Sequence, residues 1–291
     1  MENGNFKMEQ SSTIDPQTTV GAITLGVAQL DKMVQFYQQV IGLAILNHEA
    51  TSAELGIDIT PLVILQEGPG GKQFPRSTGL YHMAILLPSR PDLGHWLNHL
   101  IEKQYPLSGA GDHIVSEALY LSDPEGNGIE IYRDRPREQW EETENGIRMD
   151  TLPVDLESLR SDAPNNDFNG LPAGTTMGHI HLKVNDVNRA VNFYRDVMGF
   201  NLMATLPAAA FLSAGGYHHH IGANMWNSRG AAPPPPGSFG LISYQILLPN
   251  EEARNSVLKR LDAMNYSVEQ SNTVPFVRDP AGNGISLQIK K

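Results

Sequence analysis

The chain has 291 residues, a formal net charge of -11 at pH 7 and no cysteine. Disulfides and thiolate metal ligands are therefore excluded, and a phosphate-backbone partner, which would want a basic patch, is disfavoured. No run approaches the roughly 20 apolar residues that span a bilayer, and the polar start, Met1 to Thr19, has no apolar signal-peptide core, so a cytoplasmic protein acting on a small molecule is expected.

Residues 1–19 read as a flexible segment. After them, a strand-like run from Ile23 to Val27 leads to MVQFYQQVIGL (33–43), with apolar residues at helical spacing and Gly42 where the helix would stop. The strand GLYHMAILLP (79–88) follows, then a helix from Leu93 to Ile101, then GDHIVSEALYLSDPEGNGIE (111–130), in which an Asp-Pro-x-Gly turn feeds a last strand. Residues 135–176, rich in Glu, Asp, Asn and Pro, form a connector. The pattern then repeats. A strand from Ile180 to Val184 precedes AVNFYRDVMGF (190–200) and the run GGYHHH (215–220); GLISYQILLP (240–249), a helix from Ala253 to Leu261 and DPAGNGISL (279–287) complete the chain.

The copies match residue by residue. Val34, Phe36, Tyr37, Val40 and Gly42 recur as Val191, Phe193, Tyr194, Val197 and Gly199, and the segments at 79–88 and 123–131 recur at 240–249 and 279–287. The chain thus divides into four strand–helix–strands modules, about 20–68, 79–134, 177–228 and 238–290. This order resembles the vicinal oxygen chelate (glyoxalase/bleomycin resistance/extradiol dioxygenase) superfamily. The resemblance implies an α+β fold in which four βαβββ modules pair into half-open mixed β-barrels with flanking helices. Modules one and two would make an N-terminal domain over 20–134, and modules three and four a C-terminal domain over 177–291. The superfamily holds enzymes of several kinds and metal-free binders, so fold alone selects no function.

The repeats let the sequence serve as its own control. His82 on the first strand of module two and Glu130 on its last correspond to Ser243 and Ser286 in module four; His179 of module three corresponds to Ala22 of module one. A lone strand histidine is more often packed than a ligand, and a lone Glu is usually solvated. Three coincident differences at matched places read instead as a metal site. Two histidines and one carboxylate form a facial triad suited to a non-haem Fe(II) oxygenase, with Mn(II) as the other candidate.

Residues 111–130 resemble the extradiol dioxygenase motif at Gly111, His113, Leu119, Tyr120, Asp123, Pro124, Gly126 and Glu130. The resemblance implies that Glu130 is the carboxylate ligand and that Tyr120 and His113 face the substrate, a small aromatic diol opened with O2. Module four has Phe276 where Tyr120 falls, which keeps packing and loses the hydroxyl. It further implies an acid–base histidine from the 218–220 run. Alternation along a strand puts His218 and His220 on one face and His219 on the other; the choice is His220, with His219 as competitor. His181 shares a face with His179 and would line the pocket.

In one respect the chain departs from the commonest extradiol layout, which draws every ligand from modules three and four. Here modules two and three supply them, so the barrel must form across the domain boundary or between subunits; a homo-oligomer is compatible with the sequence. Two rivals stand beside the dioxygenase reading: a glyoxalase-type isomerase with His220 as fourth ligand, and a metal-free drug-sequestering protein.

Overall fold

The structure, a computed structural model, describes residues 13–68, 71–143, 146–271 and 274–290. Module one comprises β1 (Thr19–Val27), α1 (Leu30–Phe36), β2 (Ala44–His48), β3 (Ser52–Ile57) and β4 (Thr60–Glu67). Module two comprises β5 (Gly79–Leu87), α2 (Arg90–Glu102), β6 (Gly109–Asp112), β7 (Ser116–Ser122) and β8 (Gly128–Asp134). The connector holds the short strands β9 (Glu142–Thr143) and β10 (Gly146–Ile147) and the helix α3 (Leu156–Ser161). Module three comprises β11 (Thr176–Lys183), α4 (Val187–Asn192), β12 (Asn201–Leu206), β13 (Ala209–Ser213) and β14 (Ile221–Asn224). Module four comprises β15 (Gly240–Leu248), α5 (Glu251–Ala263), β16 (Glu269–Ser271), β17 (Val274–Arg278) and β18 (Gly284–Ile289). The fold is therefore α+β, with the βαβββ unit written four times.

Local chemistry starts the helices where the polar residues fall. The side chains of Ser89, Asp186 and Asn250 cap α2, α4 and α5 by accepting from the backbone N–H three residues on. The first helices of modules one and three each loosen into a π-helical turn, Tyr37–Ile41 and Phe193–Val197, at the repeated Phe-Tyr motif. That motif has a structural task. Tyr37 Oη donates to Asp123 Oδ2 at 3.0 Å, and Tyr194 Oη donates to Asp279 Oδ2 at 2.9 Å. The repeated Phe-Tyr and Asp-Pro-x-Gly segments are thus two ends of one clamp, tying module one to two and module three to four.

The sheets pair the modules differently. One mixed eight-stranded sheet runs β16-β17-β18-β15-β1-β4-β3-β2 and the other β12-β13-β14-β11-β5-β8-β7-β6. Module one therefore shares a sheet with module four, and module two with module three, through the antiparallel pairs β1–β15 and β5–β11. Both sheets therefore cross the boundary between 20–134 and 177–291. Helices and clamps join modules within a half, while strands join them across halves: Trp96 Nε1 of α2 donates to the Ile41 carbonyl, and Arg260 of α5 donates to those of Val197 and Met198. Of the segment expected to be flexible, residues 1–12 lie outside the described residues, but Ile14 is buried and its N–H donates to the Gly199 carbonyl.

A fragment experiment follows. Expressed separately, residues 1–150 and 170–291 should each lack a cooperative thermal transition by far-ultraviolet circular dichroism, because neither retains β1–β15 or β5–β11; mixing should restore it. A sharp melt from either half alone would contradict the cross-half sheets.

Candidate metal centre and cavity

The site is built on one rung of the inner sheet. Ala84 of β5 lies opposite His179 of β11 on one side and Glu130 of β8 on the other, and Glu130 lies opposite Tyr120 of β7. Directly opposed residues share a face, so His179, Ala84, Glu130 and Tyr120 stand in line, with small Ala84 leaving room between the ligand side chains. His82, two residues before Ala84, projects from the same face. Glu130 Oε2 lies 3.0 Å from His82 Nε2 and 3.2 Å from His179 Nε2. One ligand atom from each residue lies within 4.8 Å of the others, and all three residues are buried. In the outer sheet the matching rung is Ala22, Gln245, Ser286 and Phe276. There the Gln245 side chain fills the space, its Oε1 accepting from the Ala22 N–H at 3.2 Å.

The donors suit a divalent cation. Burial alone would push the Glu130 carboxyl up, but the imidazoles of His179 and His82 hold it well below the usual carboxylate range. Burial pushes His179 down, against the pull of Glu130. A buried carboxylate between two imidazole rings, with no Arg or Lys ion-paired to it among the described residues, is a charge that a metal would balance.

Around the triad the remaining candidates sort clearly. Tyr120 Oη lies 2.6 Å from His113 Nε2, and His113 Nδ1 lies 2.9 Å from the Asp150 carbonyl. A carbonyl only accepts, so Nδ1 carries the proton, Nε2 accepts and Tyr120 donates. Burial and then nearby Glu130 push the Tyr120 hydroxyl well up, keeping it a phenol. The next residue, Ile114, has φ +71°, a left-handed conformation that costs a β-branched side chain.

The histidine run does not behave as a strand. Gly215 and Gly216 adopt φ of +60° and +67°, and β14 begins only at Ile221, so residues 218–220 lie in a loop and alternation does not apply. His219 faces the cavity, its ring 4.1 Å from that of His179 between centroids. His220, the expected acid–base residue, points away: its Nδ1 accepts from the Ala214 N–H at 3.2 Å. His218, the third member of the run, braces His219. Its Nε2 lies 2.9 Å from Asp134 Oδ1 and its Nδ1 2.8 Å from His219 Nδ1. With His218 donating to Asp134, His219 must donate from Nδ1, which leaves Nε2 as its acceptor. Asp134 sits on the face of β8 that carries Glu130, and that spacing is the one sequence signal for it. Burial holds the His219 imidazole well below its usual range.

These groups open into one cavity of about 1350 Å³, lined at its inner end by His82, Glu130, His179, Tyr120 and His219, with His113 and His181 also on its wall. The connector supplies part of the wall. Gly146 packs so tightly on β12 that a Cβ there would sit 1.9 Å from the Met203 carbonyl oxygen.

A family model described as the Glyoxalase/Bleomycin resistance protein/Dioxygenase superfamily matches residues 19–131 and 176–287. The chain belongs to this superfamily. Among curated superfamily relatives, a Bacillus subtilis (strain 168) protein named catechol-2,3-dioxygenase is 44% identical over 275 residues, covering 92% of this chain and 96% of its own. A metallothiol transferase FosB from Staphylococcus haemolyticus is 27% identical over 118 residues, covering 39% of this chain and 81% of its own. The superfamily fold also appears in glyoxalase I from Zea mays, which superposes with a TM-score of 0.57 at 16% identity over 93% of this chain and 92% of that one. No helix among the described residues is long and apolar enough to cross a membrane.

Proposed function

We propose that the protein is an extradiol-type ring-cleaving dioxygenase that holds Fe(II), or alternatively Mn(II), on His82, Glu130 and His179 and acts on a small aromatic diol with O2. The observation that carries this reading is a buried two-histidine, one-carboxylate set sharing a cavity with a phenol donor and a neutral imidazole base. The 44% identity to the catechol-2,3-dioxygenase supports it. A bound iron would supply neighbouring positions for the two diol oxygens and for O2, and a path for electrons between them.

The chain's own residues supply the proton handling. His219 Nε2 takes the proton that a diol hydroxyl must lose and holds it for return during oxygen insertion; Asp134 and His218 fix the ring so that Nε2 is the acceptor. Tyr120 Oη, whose proton rests on His113 Nε2 in the free site, turns it to the substrate oxygen as that oxygen gains ketone character. Glu130, His179 and His219 are buried, and a low-dielectric setting strengthens these interactions.

The isomerase alternative loses its fourth ligand, since His220 is engaged by the Ala214 N–H. Metal loading under anaerobic conditions, followed by O2 uptake and appearance of the coloured ring-opened product with catechol, tests the proposal; tight metal binding without O2 uptake would refute it. Within that assay Tyr120→Phe should keep its metal and lose about 10²-fold in kcat, the usual effect of one lost transition-state donor. Unchanged kinetics would reduce Tyr120 to packing.

A further inference from the structure

Resting on the ring-cleaving reading, we propose that the preferred substrate is an uncharged diol ring bearing a bulky apolar substituent, aryl or alkyl, and that Trp226 is a specificity-determining residue. The first observation is size. A cavity of about 1350 Å³ exceeds the roughly 300–1,000 Å³ of pockets that enclose drug-sized ligands. A single unsubstituted ring bound at His82, Glu130 and His179 would leave most of it empty.

The second observation is where the apolar surface lies. Leu206 is 52% exposed, Trp226 47%, Leu202 38% and Tyr81 36%, and all four line this one cavity. Exposed large apolar side chains gathered at the mouth of one cleft mark a binding surface. A continuous aromatic sleeve links that mouth to the triad. Trp226 packs edge-on to Tyr81 at 5.3 Å between centroids, both rings contact His181 at 5.7 and 5.0 Å, and His181 meets His82 at 4.9 Å. Trp226 is held in place, its Nε1 donating to the Pro207 carbonyl at 3.3 Å. A substituent leaving a metal-held ring toward solvent would lie along this sleeve and bury apolar area at each step.

The third observation is charge. Among the described residues, the one Lys or Arg on the cavity wall is Arg148, whose side chain is 57% exposed and already bonded to Glu141 at 2.7 Å. Asp150 is also on the wall. A carboxylate-bearing diol would enter without a dedicated counter-ion, beside existing negative charge, and should be disfavoured.

Two readouts test this with the metal-loaded full-length protein: anaerobic Kd, and kcat/KM for O2-dependent ring opening, each with catechol, 3-phenylcatechol and 3,4-dihydroxyphenylacetate. The phenyl compound should bind at least tenfold tighter than catechol, and the carboxylate at least tenfold more weakly. Trp226→Ala should lower the phenyl-to-catechol ratio about tenfold, chiefly through KM, with Trp226→Phe restoring most of it. Equal Kd values for the three, or preference for the carboxylate, would overturn the inference whether or not rings are opened. The expected Kd order without ring opening would support the sleeve and refute the ring-cleaving reading instead.

Discussion

Replacing His82, Glu130 or His179 by alanine will abolish stoichiometric metal binding and ring cleavage while leaving the fold intact. The outer sheet already shows that small residues suit these positions, since Ala22, Ser243 and Ser286 stand there. Removing one of three ligands from a buried site takes away a coordination bond that water cannot fully replace, and turnover should fall below detection. Glu130→Gln sharpens the test, because it keeps size and hydrogen bonding and removes only the charge that balances the cation. The measurements are metal content after gel filtration and the thermal midpoint of the metal-free protein. A variant that melts like the parent and carries a full metal complement would show that its residue is not a ligand.

His219→Asn should retain its metal and lose between about 10² and 10⁴ in kcat, the range for a lost general acid–base group. His220→Asn is the matched control, with turnover within a few-fold of the parent and a different effect altogether. Burial pushes the His220 imidazole down to about 3, whereas in the unfolded chain it titrates near 6.5. The unfolded state therefore binds the extra proton between those values, so stability is full above pH 6.5 and declines as pH falls toward 3. The loss is of the order of a few kcal/mol at the acid end. His219, His181 and His179 are shifted down as well and act in the same direction. The metal-free parent should thus lose stability steadily below pH 6.5, and His220→Asn should flatten part of that slope. A large kcat loss in His220→Asn with none in His219→Asn would reverse the roles assigned to the two rings.

The comparison of His219 with His220 also marks where the sequence stops being legible. The four modules could be read because apolar periodicity and repeated turns are local. The convergence of His82, Glu130 and His179 could be read because the duplicated rung lacks all three side chains, and the Tyr120 to Phe276 difference followed the same logic. The histidine run could not be resolved, because its facing depends on whether two glycines continue a strand or break it. The joining of β5 with β11 could be read only through the split of the candidate ligands between modules two and three, and that of β1 with β15 was hidden: these contacts join segments far apart in the chain, and no nearby residue encodes them. The Phe-Tyr and Asp-Pro-x-Gly motifs, legible only as repeats, proved to be the Tyr37–Asp123 and Tyr194–Asp279 clamps. Trp226 and Tyr81 carry no pattern at all; only their shared cavity wall reveals them.

The nested joining of strands, with modules two and three enclosed between one and four, fixes an order of events during synthesis. The chain leaves the ribosome from its N-terminus, so every strand of the inner sheet, those of His82, Glu130 and His179 among them, is available once Asn224 has emerged. At that moment β1 can have β4 beside it but not β15, whose residues 240–248 are still to come. One side of β1 therefore waits with unpaired N–H and C=O groups, the kind of border that recruits strands from other chains. A nascent chain stalled between Asn224 and Leu248 would carry the completed inner sheet, with His82, Glu130 and His179 in place, and a sticky flank at once, so the vulnerable interval in the life of this protein comes after its candidate site has been assembled.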